Sequence, residues 1–171
     1  MKTGKIISWV VGIIVLAGVA WGVYAIATSP KIAEGDIINR TGELHWHAHL
    51  SIVVDGKPVE IPTDIGVNGP MGAGGDPMAL HTHDTSGIIH AEFFGMVTKD
   101  QLRLKEFFKI WGKDFSKDSI MGHTATDGHT ITMTVNGEPN TDFENYAITG
   151  QGTYDSGGDL GKVDDIVITY K

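Results

Sequence analysis

Cysteine is absent from the 171 residues, so no disulfide staples the fold and no thiolate serves as nucleophile or metal ligand. Basic residues are scarce: 13 Lys+Arg stand against 21 Asp+Glu, a formal net charge of −8. That balance argues against a nucleic-acid partner, because a phosphate backbone selects for clustered Lys and Arg. Length is limiting too. A (β/α)₈ barrel needs roughly 250 residues, so the chain fits one domain with an appendage. The 23 Gly and 6 Pro fall short of the roughly 25–30% that marks low complexity. What remains for chemistry is histidine, eight of them.

Charge is also missing from Ile6 to Ala27, a continuous apolar run. A helix of this length spans about 33 Å, against roughly 30 Å for a bilayer core. Trp9, Trp21 and Tyr24 lie toward its ends, where amphipathic rings favour headgroups, and Lys2 and Lys5 precede it. The run therefore predicts an anchor over 1–27 inserted in the lipid bilayer through residues 6–27. The positive-inside rule places the N-terminus in the cytoplasm and the rest outside. Ala25-Ile26-Ala27 is an A-x-A cleavage pattern, but the apolar run exceeds the roughly 7–15 residues of a signal peptide. Residues 28–43 read as a polar tether, and Asn39-Arg40-Thr41 within it is an N-x-T sequon. Residues 44–171 then form an acidic extracytoplasmic domain, because Lys2 and Lys5 are the only charges before residue 28.

In that domain the dominant period is two. From His45 to Val54, Trp46, Ala48, Leu50, Ile52 and Val54 share one face, and His45, His47, His49, Ser51 and Val53 the other. Asp55-Gly56 predicts a tight hairpin pairing Val54 with Lys57, Ile52 with Val59 and Leu50 with Ile61. A Gly-rich loop, 66–75, follows. A second hairpin joins 79–83 to 88–94 through Asp84-Thr85-Ser86-Gly87, setting Leu80 opposite Ala91 and Thr82 opposite Ile89. Thr98-x-x-Gln101 reads as a capping box. Leu104, Phe107, Phe108 and Trp111 recur at helical spacing before Gly112, and these aromatics read as core. Ile131-Thr-Met133-Thr-Val135 is a strand ending in the turn signal Asn136-Gly137, and Asp165–Tyr170 is a last strand. The predicted class is α+β: a transmembrane helix, then a mostly antiparallel sheet with one short helix, β-grasp-like in order.

Six of the eight histidines fall within two ten-residue windows, 45–54 and 81–90, where chance places about one. The second hairpin sets His81 directly across from His90, with His83 two residues along on the same side. Opposed Cβ atoms lie roughly 4.5–5.5 Å apart, so both imidazoles can reach one ion. His81, His83 and His90 are the first candidate ligands. His45, His47 and His49 form a second cluster or complete the same site. Glu60, Asp84 and Glu92 are candidate helpers, as ligands or as partners orienting a ring nitrogen. Met78 and Met71 are candidate soft ligands. Imidazole donors without thiolate suit copper or zinc. His123 and His129 read as ordinary surface residues. Asp155, Asp159, Asp164 and Asp165 read as an acidic solvated loop rather than a calcium site, because their spacing misses the EF-hand pattern.

The motifs H-W-H-A-H-L (45–50), A-L-H-T-H-D-T-S-G-I-I-H-A-E (79–92), L-K-E-F-F-K-I-W-G (104–112), M-T-V-N-G (133–137) and D-I-V-I-T-Y (165–170) resemble a group of proteins. These are small membrane-anchored or secreted archaeal and bacterial proteins with an H-W-H-x-H strand and an L-H-T-H-D-x-S-G-x-I-H hairpin. The resemblance spans nearly all of 43–171. It implies a location outside the cytoplasm and a His-rich site, and it implies no activity. Gly75 followed by His81-x-His83 matches the opening of a cupin motif, but the glutamate and the second motif are missing. The H-x-H-x-D-H pattern of metallo-hydrolases is likewise incomplete. Three readings follow. One is a tethered metal-binding domain for capture, delivery or sensing, as an accessory to a membrane metalloenzyme or other membrane complex. Another is a metal-dependent enzyme with Glu92 or Asp84 as base. The third is a structural subunit with merely polar histidines.

Overall fold

The computed structural model describes residues 3–68, 77–152, 154 and 160–171, with side chains of the first helix described from Trp9 onward. The chain divides into two compact units, up to Glu34 and from Gly35. The first holds helix α1 (Thr3–Thr28). Its stretch Trp9–Thr28, 20 residues, is long and apolar enough to cross a membrane. Large side chains project from it on all sides, Trp9, Leu16, Trp21 and Ile26 each being at least 70% exposed. Such a surface suits lipid and not water, which supports membrane association.

The second unit is α+β. Its strands are β1 (Ile37–Asn39), β2 (Glu43–Val54), β3 (Lys57–Val59), β4 (Leu80–His81), β5 (Ile88–Phe94) and β6 (Val97–Thr98). After helix α2 (Leu104–Trp111) come β7 (Ser119–Ile120), β8 (His123–Thr124), β9 (Ile131–Val135), β10 (Glu138–Pro139) and β11 (Asp164–Tyr170). The main sheet runs β10-β9-β11-β2-β5-β4, with β3 also on β2. All its pairs are antiparallel except β11 with β2, so the last strand lies between β2 and β9, in keeping with a β-grasp-like layout. β1 pairs with β6, so part of the segment read as a tether belongs to the folded unit. Asn39 sits there with its side-chain nitrogen buried, which leaves the sequon's acceptor atom inaccessible.

The turn chemistry acts as the sequence dictates. Asp55-Gly56 and Asn136-Gly137 both adopt positive φ at the two central positions, the twist a two-residue hairpin requires. Val54 pairs with Lys57 and Ile52 with Val59. The expected Leu50–Ile61 pair does not form. The Leu50 amide donates instead to the Gly87 carbonyl (2.9 Å), which takes that edge of β2. Ile61 is still buried in the core.

In the second hairpin Leu80 faces Ala91 and His81 faces His90, as expected. Thr82 does not pair with Ile89. Its amide donates to the Ile65 carbonyl (3.1 Å), and its hydroxyl donates to the Pro62 carbonyl (2.9 Å) and accepts from the Ile65 amide (3.1 Å). These bonds divert Thr82 to the preceding segment. The Asp84 carboxylate closes the turn by accepting from the Ser86 amide (2.8 Å). Thr98 and Gln101 cap a short 3₁₀ turn rather than α2 itself, which begins at Leu104 and ends on left-handed Gly112. Leu104, Phe107 and Phe108 pack beneath the sheet against Leu50, Ile52, Ile89, Ile166 and Ile168.

Candidate metal centre

Strand alternation turns the apolar residues Ala48, Leu50, Ile89 and Ala91 into the core, and the histidines of β2 and β5 to the other face. The site then arises from pairing between strands. His47 of β2 lies directly opposite His90 of β5, and His90 lies opposite His81 of β4. One rung along, His45 faces Glu92. Three strands thus carry a transverse row of imidazoles with His90 at its centre. Ring centroids stand 4.7 Å apart for His47–His90, 5.4 Å for His81–His90, 4.2 Å for His83–His90 and 4.6 Å for His45–His47.

Two overlapping groups could hold a metal ion: His81, His83, His90 and Glu92, and His45, His47 and His90. Within each, the ligand atoms lie within 4.8 Å of one another. The Nε2 atoms of His81 and His83 are 3.2 Å apart. Two nitrogens on one tetrahedral zinc, at 2.0–2.1 Å each, are separated by about 3.3 Å. That edge is already formed.

Backbone carbonyls set the ring orientations. His81 Nδ1 lies 2.8 Å from the Met78 carbonyl, and His47 Nδ1 lies 3.1 Å from the Leu160 carbonyl. A carbonyl only accepts, so each Nδ1 carries the proton and each Nε2 keeps its lone pair. His47 Nε2 and His90 Nδ1 are buried without a hydrogen-bond partner. A buried polar nitrogen left unpaired is costly, and a lone pair of this kind is a metal donor. Burial lowers the pKa of His47, with the neighbouring His45 adding to it. Burial likewise lowers that of His81. His90 is pushed down to about 3 by burial and then by His83, His47, His81 and His45 around it. Burial thus favours the neutral, ligand-competent form in all three rings, most strongly in His90.

His90 also borders a cavity of about 270 Å³ with Asp84, Ser86, Ile88, Tyr154 and Leu160. Two larger cavities among the described residues, about 380 and 500 Å³, have no histidine in their walls.

The remaining candidates are placed apart. His49 shares the face but not the groups. Its ring stacks on Tyr154 at 3.9 Å, and its Nδ1 lies 2.8 Å from Asp165, which β11 sets beside it. Glu60 is exposed beyond the end of β3, and Asp84 is held in its turn by Ser86, which lowers its pKa. Met78 contributes its carbonyl to His81, and the residue as a whole is 44% exposed. Met71, Asp155, Asp159 and Gly75 lie outside the described residues. His123 and His129 are exposed and lean on the Tyr170 ring.

Asp164 is the largest departure from expectation. It is fully buried, not part of a solvated loop. Its carboxylate accepts from the Tyr146 hydroxyl (3.0 Å), the Thr149 amide (2.6 Å) and hydroxyl (2.8 Å), and the Gly150 amide (3.3 Å). Burial, then the Asp164 charge, raises the Tyr146 pKa, so the phenol stays protonated as donor. The pairing of β2 with β5, which makes the site, was not anticipated. The matching i, i+2 spacing of His45/His47 and His90/Glu92 was its only local sign.

The chain matches no family model, no curated protein and no solved structure among those compared.

Proposed function

We propose that this protein is a membrane-tethered, extracytoplasmic binding module for copper or zinc that captures, delivers or senses the ion, beside a membrane metalloenzyme or transporter that uses it. The observation that carries the reading is the pair of buried, unpartnered nitrogens, His47 Nε2 and His90 Nδ1, at the centre of a five-histidine row with Glu92 beside it. The lone pairs of His47 and His81, fixed by carbonyl bonds on the far side of each ring, suit a late first-row ion, and the absence of cysteine makes imidazole and carboxylate the donors of the two groups. The long apolar helix α1, with its lipid-suited surface, supports the anchor. The positive residues Lys2 and Lys5 favour an outward-facing domain. The resemblance to anchored and secreted archaeal and bacterial His-rich proteins points the same way.

The test is metal analysis of the full chain, purified in detergent without a polyhistidine tag and re-metallated after chelation. About one equivalent or more of copper or zinc, lost in His90→Gln, supports the reading. Less than about a tenth of an equivalent of any transition metal would overturn it.

A further inference from the structure

The two ligand groups are not independent. His90 belongs to both, and Glu92 Oε1 of one group lies 3.1 Å from His45 Nε2 of the other. We infer that the row holds a single divalent ion in either of two mutually exclusive positions. The outer position is built on His45, His47 and His90, the inner on His81, His83, His90 and Glu92. The ion moves from the first to the second while His90 remains its ligand. This rests on the metal-binding reading above and goes beyond it in stoichiometry and route.

Three observations carry it. The first is charge. The two groups together contain one carboxylate and five imidazoles that are neutral as ligands. One dication leaves the row at +1, whereas two would leave +3 in a partly buried place, which is strongly unfavourable. The second is sharing. His90 stands 4.7 Å from His47 on one side and 4.2 Å from His83 on the other, with its ring edge-on to both (86° and 76°). It is equally placed for either position, but a neutral imidazole offers one lone pair. The third is exposure. His45 alone of the six side chains is exposed (46%), whereas His47 and His81 are buried and His83, His90 and Glu92 half-buried. An ion arriving from solvent at His45 meets the outer group first and gains a carboxylate in the inner one.

The experiment titrates Zn²⁺ by calorimetry and Cu²⁺ by electron paramagnetic resonance into metal-free full chain in detergent. The chains compared are wild type, His45→Ala, His81→Ala and the His45→Ala/His81→Ala double variant. Wild type is expected to bind one equivalent. Each single variant still binds one, less than about 100-fold weaker, because the other position survives, and the two copper spectra differ. The double variant loses binding by far more than the about 10–100-fold typical of losing a supporting partner. His45→Ala also slows uptake, since the solvent-facing ligand is gone. Thermal melts of the metal-free chains verify folding.

Two equivalents in wild type would overturn the single-ion inference. So would a single variant that loses binding as completely as the double one, since that marks one undivided site. So would folded variants with identical copper spectra. No binding by wild type at all would instead refute the metal-binding reading itself.

Discussion

Lowering the pH should destabilise the metal-free protein through His90, and the size can be worked out. In the fold His90 is pushed down to about 3, against an ordinary value of 6.5. Its side chain is 13% exposed, so solvent screens the effect little. A depressed histidine favours folding fully above 6.5. That contribution is lost as pH falls from 6.5 toward 3, because the unfolded chain takes up a proton that the folded chain refuses. Each unit is worth about 1.4 kcal/mol, so by pH 5 His90 alone costs about 2 kcal/mol relative to pH 8. His47 and His81 are shifted in the same direction and add to it. The assay is urea unfolding of the full chain in detergent with a chelator present, at pH 8 and pH 5, for wild type and His90→Gln. The variant should lose about 2 kcal/mol less than wild type over this interval. Equal losses, or a His90 ring proton resonance titrating near 6.5, would refute the reasoning.

Other outcomes follow from the same geometry. Because burial holds His47, His81 and His90 neutral, protons should compete for the bound ion only below the free-imidazole range, and a pH series of Zn²⁺ retention should have its midpoint under ~6.5. Gly150→Ala should cost about 1–3 kcal/mol in a thermal or urea melt. Gly150 has φ +61°, and an added Cβ would stand 2.7 Å from Trp46 Cγ. Asp164→Asn should cost about 2–3 kcal/mol by the same melt, since it replaces a buried charged acceptor serving four donor contacts. Membranes carrying the full chain should retain it through high-salt and alkaline washes and release it to detergent, as a helix with Trp9–Thr28 in lipid requires. Release by salt alone would rule that helix out as an anchor.

What could be read from the sequence was local. Alternation in His45–Val54, the Asp55-Gly56 and Asn136-Gly137 turns, the Leu104–Trp111 stripe and the facing of His81 and His90 all depend on neighbours a few residues away. What escaped depends on distant ones. His47 and His49 are indistinguishable by alternation. The first meets His90 because β5 pairs with β2, and the second is claimed by Asp165 because β11 arrives on the other side. Asp164 was read by residue type as solvated, and nothing near it in sequence shows the donors that residues 146–150 bring. Thr82 is buried, but it gives its hydrogen bonds to Pro62 and Ile65 instead of pairing with Ile89.

The central position of β11 has a kinetic corollary. Among the described strands it comes last in sequence, yet it is the one that joins β9 and β10 to the strands that bear the histidines. Until it inserts, the two halves of the sheet share no edge, and both present unpaired backbone to whatever else is in reach. Closing that gap brings Asp164 beside Ala48, more than a hundred residues earlier, an entropically demanding step of the kind that slows folding. The strands of the histidine row, β2, β4 and β5, all lie within residues 43–94 and can pair beforehand. Ligand assembly can therefore precede completion of the sheet. An ion captured early would bias a nascent, half-built domain toward its native register.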